Sequence, residues 1–162
     1  MTLTDTARAA IIRNAAASAD GRETGGILLG HHHRYPRPLL DVVHAAGPGP
    51  LAARRAEFFR RDVRHAQAVA DLAYRTDGSI WIGDWHTHPG GPALPSTTDL
   101  ASYRSLLADA DLDFEVFLTV IVTPDPATGW TRPRLTGWLI TTAHVRPARL
   151  RARLPDKDDA TR

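Results

Sequence analysis

The stretch SIWIGDWHTHPGGPALPSTTD, residues 79–99, joins an apolar segment to a loop rich in proline and glycine. Its first half, residues 79–88, alternates and is rich in Ile and Trp, so we predict a central strand there. Pro89 has no backbone N–H and cannot continue the pairing of a strand. His86 and His88 therefore fall at the end of this strand, where side chains can face an open cleft.

The two histidines are spaced to share a ligand. Alternation along a strand puts His86 and His88 on the same face, about 7 Å apart, so their imidazoles can meet at one ion. A helix predicted over residues 96–109 follows, and Asp99 falls in its first turn. If the loop folds back over the strand end, Asp99 becomes a third ligand. Two histidines and one carboxylate match the open site of catalytic zinc, which leaves the fourth position for water and lowers the pKa of that water to about 7.

Such a water needs a proton acceptor, and Glu23 is the best candidate. It opens the glycine-rich segment ETGGILLG, residues 23–30, which contains no Lys or Arg. A carboxylate without a cationic partner on its own strand can serve as a general base. Gly25 and Gly26 would let another backbone or a substrate tail approach closely. The chain contains no H-E-x-x-H motif, so the common helical zinc-protease arrangement is excluded.

The composition predicts a single globular domain. A chain of 162 residues, 43% of them hydrophobic, can bury one sizeable core but is too short for two comfortable domains. The net charge is only +2, so the alkaline pI of about 9.5 reflects arginine richness, and a nucleic-acid partner is disfavoured. The absence of cysteine excludes disulfides, thiol nucleophiles and cysteine-ligated zinc.

The sequence gives no sign of a membrane segment. Residues 1–20 lack a basic leader ahead of an apolar core, and no apolar run approaches the roughly 20 residues that span a bilayer. We therefore expect a cytoplasmic protein with no membrane partner.

Strands and helices alternate along the chain, which predicts an α/β or α+β sandwich. The spacing of apolar residues predicts helices over residues 5–18 and 56–74, and strands over residues 23–30, 38–46, 114–123 and within 134–145. His31, His32 and His33 are predicted to lie in the turn between the first two strands. We expect the catalytic domain to cover residues 1–145, and the charged tail, residues 146–162, to fray.

The site residues also match a known motif. The JAMM motif of the MPN (JAB1/MPN/Mov34) metalloproteases reads H-x-H-P, five residues, then P-S-x-x-D, with a glutamate in an upstream strand. This chain resembles it at every fixed position, through His86, His88, Pro89, Pro95, Ser96, Asp99 and the upstream Glu23. The resemblance covers roughly residues 8–142 and is to compact bacterial members of the family.

This resemblance implies a fold and a reaction. The fold is a cytidine-deaminase-like α/β/α sandwich around one mixed sheet. Zinc (Zn²⁺) is held by His86, His88 and Asp99, Glu23 is the general base, and Ser96 helps to stabilise the oxyanion. Family members hydrolyse peptide or isopeptide bonds at the C-terminal tail of ubiquitin-like or sulfur-carrier proteins, and some bacterial relatives act with conjugation systems in antiphage defence. Neither the exact substrate nor the oligomeric state follows from the resemblance.

Other interpretations of the same residues stay open. The chain could be a non-catalytic MPN scaffold that binds a partner protein, or a zinc hydrolase of a small molecule. Ser96 and Asp99 also form a capping-box signature. His31–His33 fit a solvated turn or an adventitious metal site, and Asp84 fits a surface charge or a carboxylate that orients a histidine. The arginines between residues 54 and 64 fit a solvated helix face or a patch for an acidic protein substrate.

Overall fold

The elements of the fold are seen in a computed structural model that describes residues 1–33 and 39–152. In chain order they are β1 (Thr2–Leu3), α1 (Asp5–Ala15), a 3-10 turn (Ala16–Asp20), β2 (Gly25–His33), β3 (Leu39–Ala45), β4 (Ala53–Arg55), β5 (Phe58–Arg60), α2 (Val63–Asp77), β6 (Ile80–Thr87), α3 (Thr97–Ala108), β7 (Phe117–Asp125), β8 (Gly129–Ile140), β9 (Val145–Ala148) and β10 (Arg151–Ala152).

Eight of the strands form one mixed sheet. Their order across it is β10-β1-β3-β2-β6-β7-β8-β9, while β4 and β5 form a separate hairpin. Strand β6 lies in the middle, antiparallel to β2 and parallel to β7. The predicted central strand is therefore confirmed, and the histidines at its end are flanked by strands on both sides.

Helix α1 covers one face of this sheet. Its buried residues Ala7, Ile11 and Ala15 belong to one apolar cluster with Leu28 of β2 and Leu118 of β7. Successive residues of a strand point to opposite faces, so the neighbours of these two leucines in sequence belong to the other face.

Helices α2 and α3 cover that other face. Ala66 of α2 packs in a cluster with Ile27 and Leu29 of β2, and Tyr103 of α3 packs in a cluster with Phe117 of β7. One helix on one face and two on the other confirm the predicted single-domain α/β/α sandwich. In the described part of the chain, no helix has both the length and the apolar character needed to cross a bilayer.

The ends of the helices follow from local chemistry. Thr4, Asp62 and Ser96 each accept a hydrogen bond from the backbone N–H three residues later and so begin α1, α2 and α3. Gly78, at a φ of 75°, ends α2 in the left-handed conformation that glycine adopts at little cost.

Two predicted elements are wrong in detail. Helix α2 begins at Val63, not at residue 56, because residues 53–60 form the β4–β5 hairpin. The histidines His31–His33 lie in β2 and pair with residues 39–41 of β3, so they are not in a turn. Phe59 continues the helical spacing upstream of Val63, and three consecutive histidines favour a turn, but in both segments pairing with the neighbouring strand decides the structure.

The predicted boundary at residue 145 does not mark the end of the sheet. Strand β9 starts at that residue and pairs with β8, and β10 pairs with β1. Residues 146–148 and 151–152 are thus part of the sheet and not a frayed tail. The rest of the predicted tail, residues 153–162, lies outside the described residues.

Candidate metal centre

Three predicted side chains meet at the end of β6. The Nε2 atoms of His86 and His88 lie 3.0 Å apart, and Asp99 Oδ2 lies 3.4 Å from the first and 3.5 Å from the second. Both histidines are buried and Asp99 is partly buried. Three nitrogen and oxygen donors at such short separations form a group that could hold a metal ion.

Backbone pairing holds the two histidines in place. The His88 N–H donates to Val122 O at 2.9 Å and thereby extends the contact between β6 and β7 one residue beyond Thr87, as far as the residue before Pro89. Thr87, between the histidines, points to the opposite face, where its hydroxyl lies 2.7 Å from Ser18 Oγ and accepts from the Thr24 N–H at 2.9 Å. This alternation fixes the imidazoles on one face, as the sequence predicted.

The second ring nitrogen of each histidine also has a partner. His88 Nδ1 lies 2.9 Å from Pro92 O, and His86 Nδ1 lies 3.4 Å from the Tyr103 hydroxyl. A carbonyl oxygen can only accept, so His88 Nδ1 carries a proton, and in the neutral ring the lone pair is then on Nε2. Metal-binding histidines use this arrangement, and the donor set therefore fits a divalent cation.

Asp99 is held at the start of α3 by a reciprocal cap. The Ser96 N–H donates to Asp99 Oδ2 at 2.7 Å, and the Asp99 N–H donates to Ser96 Oγ at 3.1 Å. Burial works to raise the pKa of Asp99, but hydrogen bonds and charge from His86 and His88 outweigh it and hold the pKa well below its usual range. The capping box is present, and it aims an ionised carboxylate at the histidines.

Glu23 lies two residues before β2, on the rim of the same cleft. The cleft is lined by Glu23, Glu57, Phe58, Phe59, His86, Ser96, Asp99 and Tyr103, among others. Burial raises the pKa of Glu23, while the nearby His86 and His88 act against that rise. Among residues 1–33 and 39–152, no Lys or Arg forms an ion pair with this carboxylate, so it is free to accept a proton.

The backbone around Glu23 is tied to the β4–β5 hairpin. The Glu23 N–H donates to Arg55 O at 2.7 Å, and Arg54 Nε donates to Glu23 O at 3.1 Å. Arg54 also reaches Asp20 at 3.0 Å. Arg54 of the predicted arginine patch therefore holds the hairpin in place. The hairpin in turn forms one wall of the cleft.

Sequence reasoning missed a buried ion pair beside the site. Asp84 is 8% exposed and bonds both terminal nitrogens of Arg61, at 3.0 and 2.6 Å, so its interpretation as a surface charge is wrong. Trp81 Nε1 also donates to Asp84 at 3.2 Å, and Arg61 stacks over the Trp81 ring. The sequence signal that could have revealed this ion pair is the position of Asp84, which shares a face of an otherwise apolar strand with His86.

The match to a family model decides the relationship of this chain. The model of the prokaryotic homologs of the JAB domain matches residues 6–136. The chain belongs to this family. The match confirms the resemblance to the JAB1/MPN/Mov34 group that the motif indicated.

Curated relatives of this JAB-family chain share one name. A "CD-NTase/cGAS isopeptidase" of Enterobacter hormaechei is 33% identical over 105 residues, which are 65% of this chain and 57% of the relative. Proteins with the same name from Escherichia coli and Vibrio cholerae are 35% and 32% identical over 83 residues, with about half of each chain covered. The chain thus spans about half the length of the curated relatives that it matches.

Solved structures share the fold of this JAB-family chain. A protein from Desulfitobacterium hafniense superposes with a TM-score of 0.67 at 23% identity and covers 97% of this chain and 95% of its own. A protein from Salinibacter ruber gives a TM-score of 0.57 at 24% identity, with 96% and 94% covered. These neighbours establish the architecture.

Proposed function

We propose that this JAB-family protein is a zinc-dependent isopeptidase or peptidase. It hydrolyses a bond at the C-terminal tail of a ubiquitin-like or sulfur-carrier protein, in the cytoplasm. The observation that carries this proposal is the meeting of His86 Nε2, His88 Nε2 and Asp99 Oδ2 beside two adjoining cavities that Glu23 also lines. The shared name of the curated relatives supports the reaction class.

A zinc ion held by His86, His88 and Asp99 would supply a Lewis acid for the scissile carbonyl and would acidify a coordinated water. The remaining steps belong to the chain itself. Glu23 takes the proton of the attacking water and returns it to the leaving amine. Burial, which raises the pKa of Glu23, makes its carboxylate a stronger proton acceptor than a solvated one.

Ser96 is suited to stabilise the charge that develops on the substrate. Its oxygen accepts the Asp99 N–H as a helix cap, and a hydroxyl keeps its own hydrogen to donate. A donor aimed at the developing oxyanion stabilises the transition state more than the substrate. The cap and the oxyanion contact can therefore coexist in one side chain.

The hairpin wall supports an extended substrate. Strand β5 pairs with β4, and its other edge has no strand partner in the described parts of the chain. Phe58, Phe59 and Arg60 of β5 line the cleft. A tail that adds as a strand along such an edge gains backbone hydrogen bonds and presents its terminal carbonyl to the site.

The test is a cleavage assay with defined conjugates. Zinc-loaded protein is incubated with a panel of ubiquitin-like and sulfur-carrier C-terminal fusions and isopeptide conjugates, and the products are identified by mass spectrometry. We expect cleavage directly after the tail by the wild type, and retained zinc with at least a hundred-fold loss of cleavage in Glu23→Gln.

Three results would contradict parts of the proposal. Cleavage by Glu23→Gln at the wild-type rate would remove Glu23 from the reaction. A folded protein that never takes up zinc would favour a non-catalytic scaffold. Zinc uptake without cleavage of any conjugate would favour a hydrolase of small molecules.

A further inference from the structure

Tyr103 connects two parts of the candidate metal centre. It lies in α3 one turn after Asp99, is 4% exposed, and stacks on Phe117 with ring centroids 4.9 Å apart. Its hydroxyl lies 3.4 Å from His86 Nδ1 and 2.9 Å from Thr119 Oγ1. The helix that carries one donor is thus tied to the strand that carries another.

The direction of these hydrogen bonds follows from what a cation would need. If His86 Nε2 offers its lone pair to an ion, the ring proton sits on Nδ1 and must be donated. The Tyr103 oxygen is the acceptor in range, and its own hydrogen then goes to Thr119 Oγ1. The opposite direction would put the proton on Nε2 and block the donor atom.

His88 has a simpler arrangement. Its Nδ1 faces the carbonyl of Pro92, which can only accept, so the backbone fixes the tautomer of the neutral ring. His86 has a hydroxyl as partner, and a hydroxyl can donate or accept. The Tyr103–Thr119 pair therefore determines which nitrogen of His86 holds the ring proton, as the Pro92 carbonyl does for His88.

We propose that Tyr103, oriented by Thr119, is a positioning residue that fixes the ring proton and orientation of His86 so that its Nε2 faces the ion. This inference rests on the proposed metal site. It assigns to a buried tyrosine a role in metal affinity and in the geometry of the bound ion, in addition to its packing against Phe117.

The test measures metal binding without any substrate. Tyr103→Phe removes the hydroxyl and keeps the ring that stacks on Phe117. We expect its zinc dissociation constant, measured by competition with a chromophoric chelator, to rise about ten- to a hundred-fold. The visible absorption spectrum of the Co²⁺-substituted protein should change as well, because the ligand field reports the orientation of His86.

Controls separate this role from stability. Tyr74→Phe removes the hydroxyl of a tyrosine that is 64% exposed on α2, and it should bind zinc as the wild type does. Thr119→Val should weaken zinc binding in the same direction. Adding Thr119→Val to Tyr103→Phe should weaken it little further, since both act through one hydrogen-bond chain. Thermal unfolding of the metal-free variants shows whether the fold is intact.

The outcomes distinguish the two proposals. Wild-type affinity and an unchanged Co²⁺ spectrum in Tyr103→Phe would overturn this inference and leave the metal site standing. A wild-type protein that binds no zinc would overturn the metal site and the inference together. If Tyr103→Phe does not fold, Thr119→Val decides: unchanged affinity there overturns the role of the hydroxyl chain.

Discussion

At the scale of residues, the site shows which side chains a sequence can place and which it cannot. The two-residue period of a strand was enough to put His86 and His88 on one face, whereas a helix start placed Asp99 near them only if the loop folds back over the strand end. The partners of these residues come from elsewhere in the chain. Tyr103 meets His86 across 17 positions, and Arg61 meets Asp84 across 23. Local patterns carry no information about such pairs.

Ser96 has two roles that one substitution can separate. Glycine is tolerated at a helix start with a loss of only a few tenths of a kcal/mol, whereas it removes the hydroxyl entirely. We therefore expect Ser96→Gly to leave thermal stability nearly unchanged and to lower kcat by about a hundred- to a thousand-fold. Steady-state kinetics on a cleaved conjugate, with unfolding curves for both proteins, provide the measurement. A kcat equal to that of the wild type would restrict Ser96 to capping.

At the scale of elements, the sequence predicted the long central strands and the three helices, but not the β4–β5 hairpin. The bounds of β6 fit because Ile and Trp alternate up to a proline. The start of α2 did not fit, because Phe59 and Val63 are four residues apart and continue the helical spacing upstream. The hairpin that takes up residues 53–60 is stabilised by its contacts with Glu23 and Asp20, which lie about thirty residues earlier. Only the folded chain brings them together.

Gly25 of β2 pairs with His86 of β6, and the two strands lie in close contact there. A Cβ on Gly25 would lie against the carbonyl of Trp85, at 2.8 Å from His86 Cβ and 2.9 Å from Phe59 Cε1. Gly25→Ala must therefore separate the strands and displace His86. We expect a loss of about 1–3 kcal/mol in the free energy of unfolding, measured by urea denaturation, and weaker zinc binding.

Gly90 offers the matched control for that substitution. No heavy atom lies within 4 Å of the Cβ that alanine would add there, although Gly90 is in the loop that follows the histidines. Gly90→Ala should change the free energy of unfolding by less than about 0.5 kcal/mol. Equal effects of the two substitutions would show that the strand contact does not set the site.

The turn between β7 and β8 makes a pH-dependent contribution to stability. Arg134 Nε donates to the Asp125 carboxylate at 2.7 Å and, with the backbone N–H of Ala127, lowers the pKa of Asp125 to about 2. Since this folded-state pKa lies below the unfolded value of about 3.9, the contribution is complete above pH 4 and is lost as the pH falls towards 2.

Asp125→Asn tests this contribution directly. We expect a lower thermal midpoint than the wild type at pH 7 and a difference that vanishes near pH 2, as measured by circular dichroism across that range. Asp111→Asn, at another exposed aspartate, should follow the wild type throughout. A difference for Asp125→Asn that does not depend on pH would contradict the assigned ion pair.

At the scale of the whole molecule, the sheet brings distant segments to one edge of β6. Glu23 lies just before β2, His86 and His88 lie at the end of β6, and Asp99 lies in α3, so the site exists only when the sheet and the helix layer that contains α3 are assembled. The α/β/α class was predictable from the mixture of elements, whereas the pairing of β1 with β10 was not. That pairing joins the two ends of the described chain, and no local sequence pattern predicts it.

Metal binding and folding are linked in such a site. A ligand that binds the native state alone stabilises it by about 2.7 kcal/mol when its free concentration is a hundred times the dissociation constant. We expect zinc to raise the thermal midpoint of the wild type and a chelator to reverse the rise. Asp99→Asn, which keeps the shape of the cap, should show little response. A response to zinc equal to that of the wild type would place the ion elsewhere.

The most direct test of the central claim is anomalous X-ray diffraction at the zinc edge from crystals grown with one equivalent of zinc. We predict one strong peak about 2.0–2.2 Å from His86 Nε2, His88 Nε2 and an oxygen of Asp99. A map without a peak between these three residues, or with its strongest peak at His31–His33, would contradict the account.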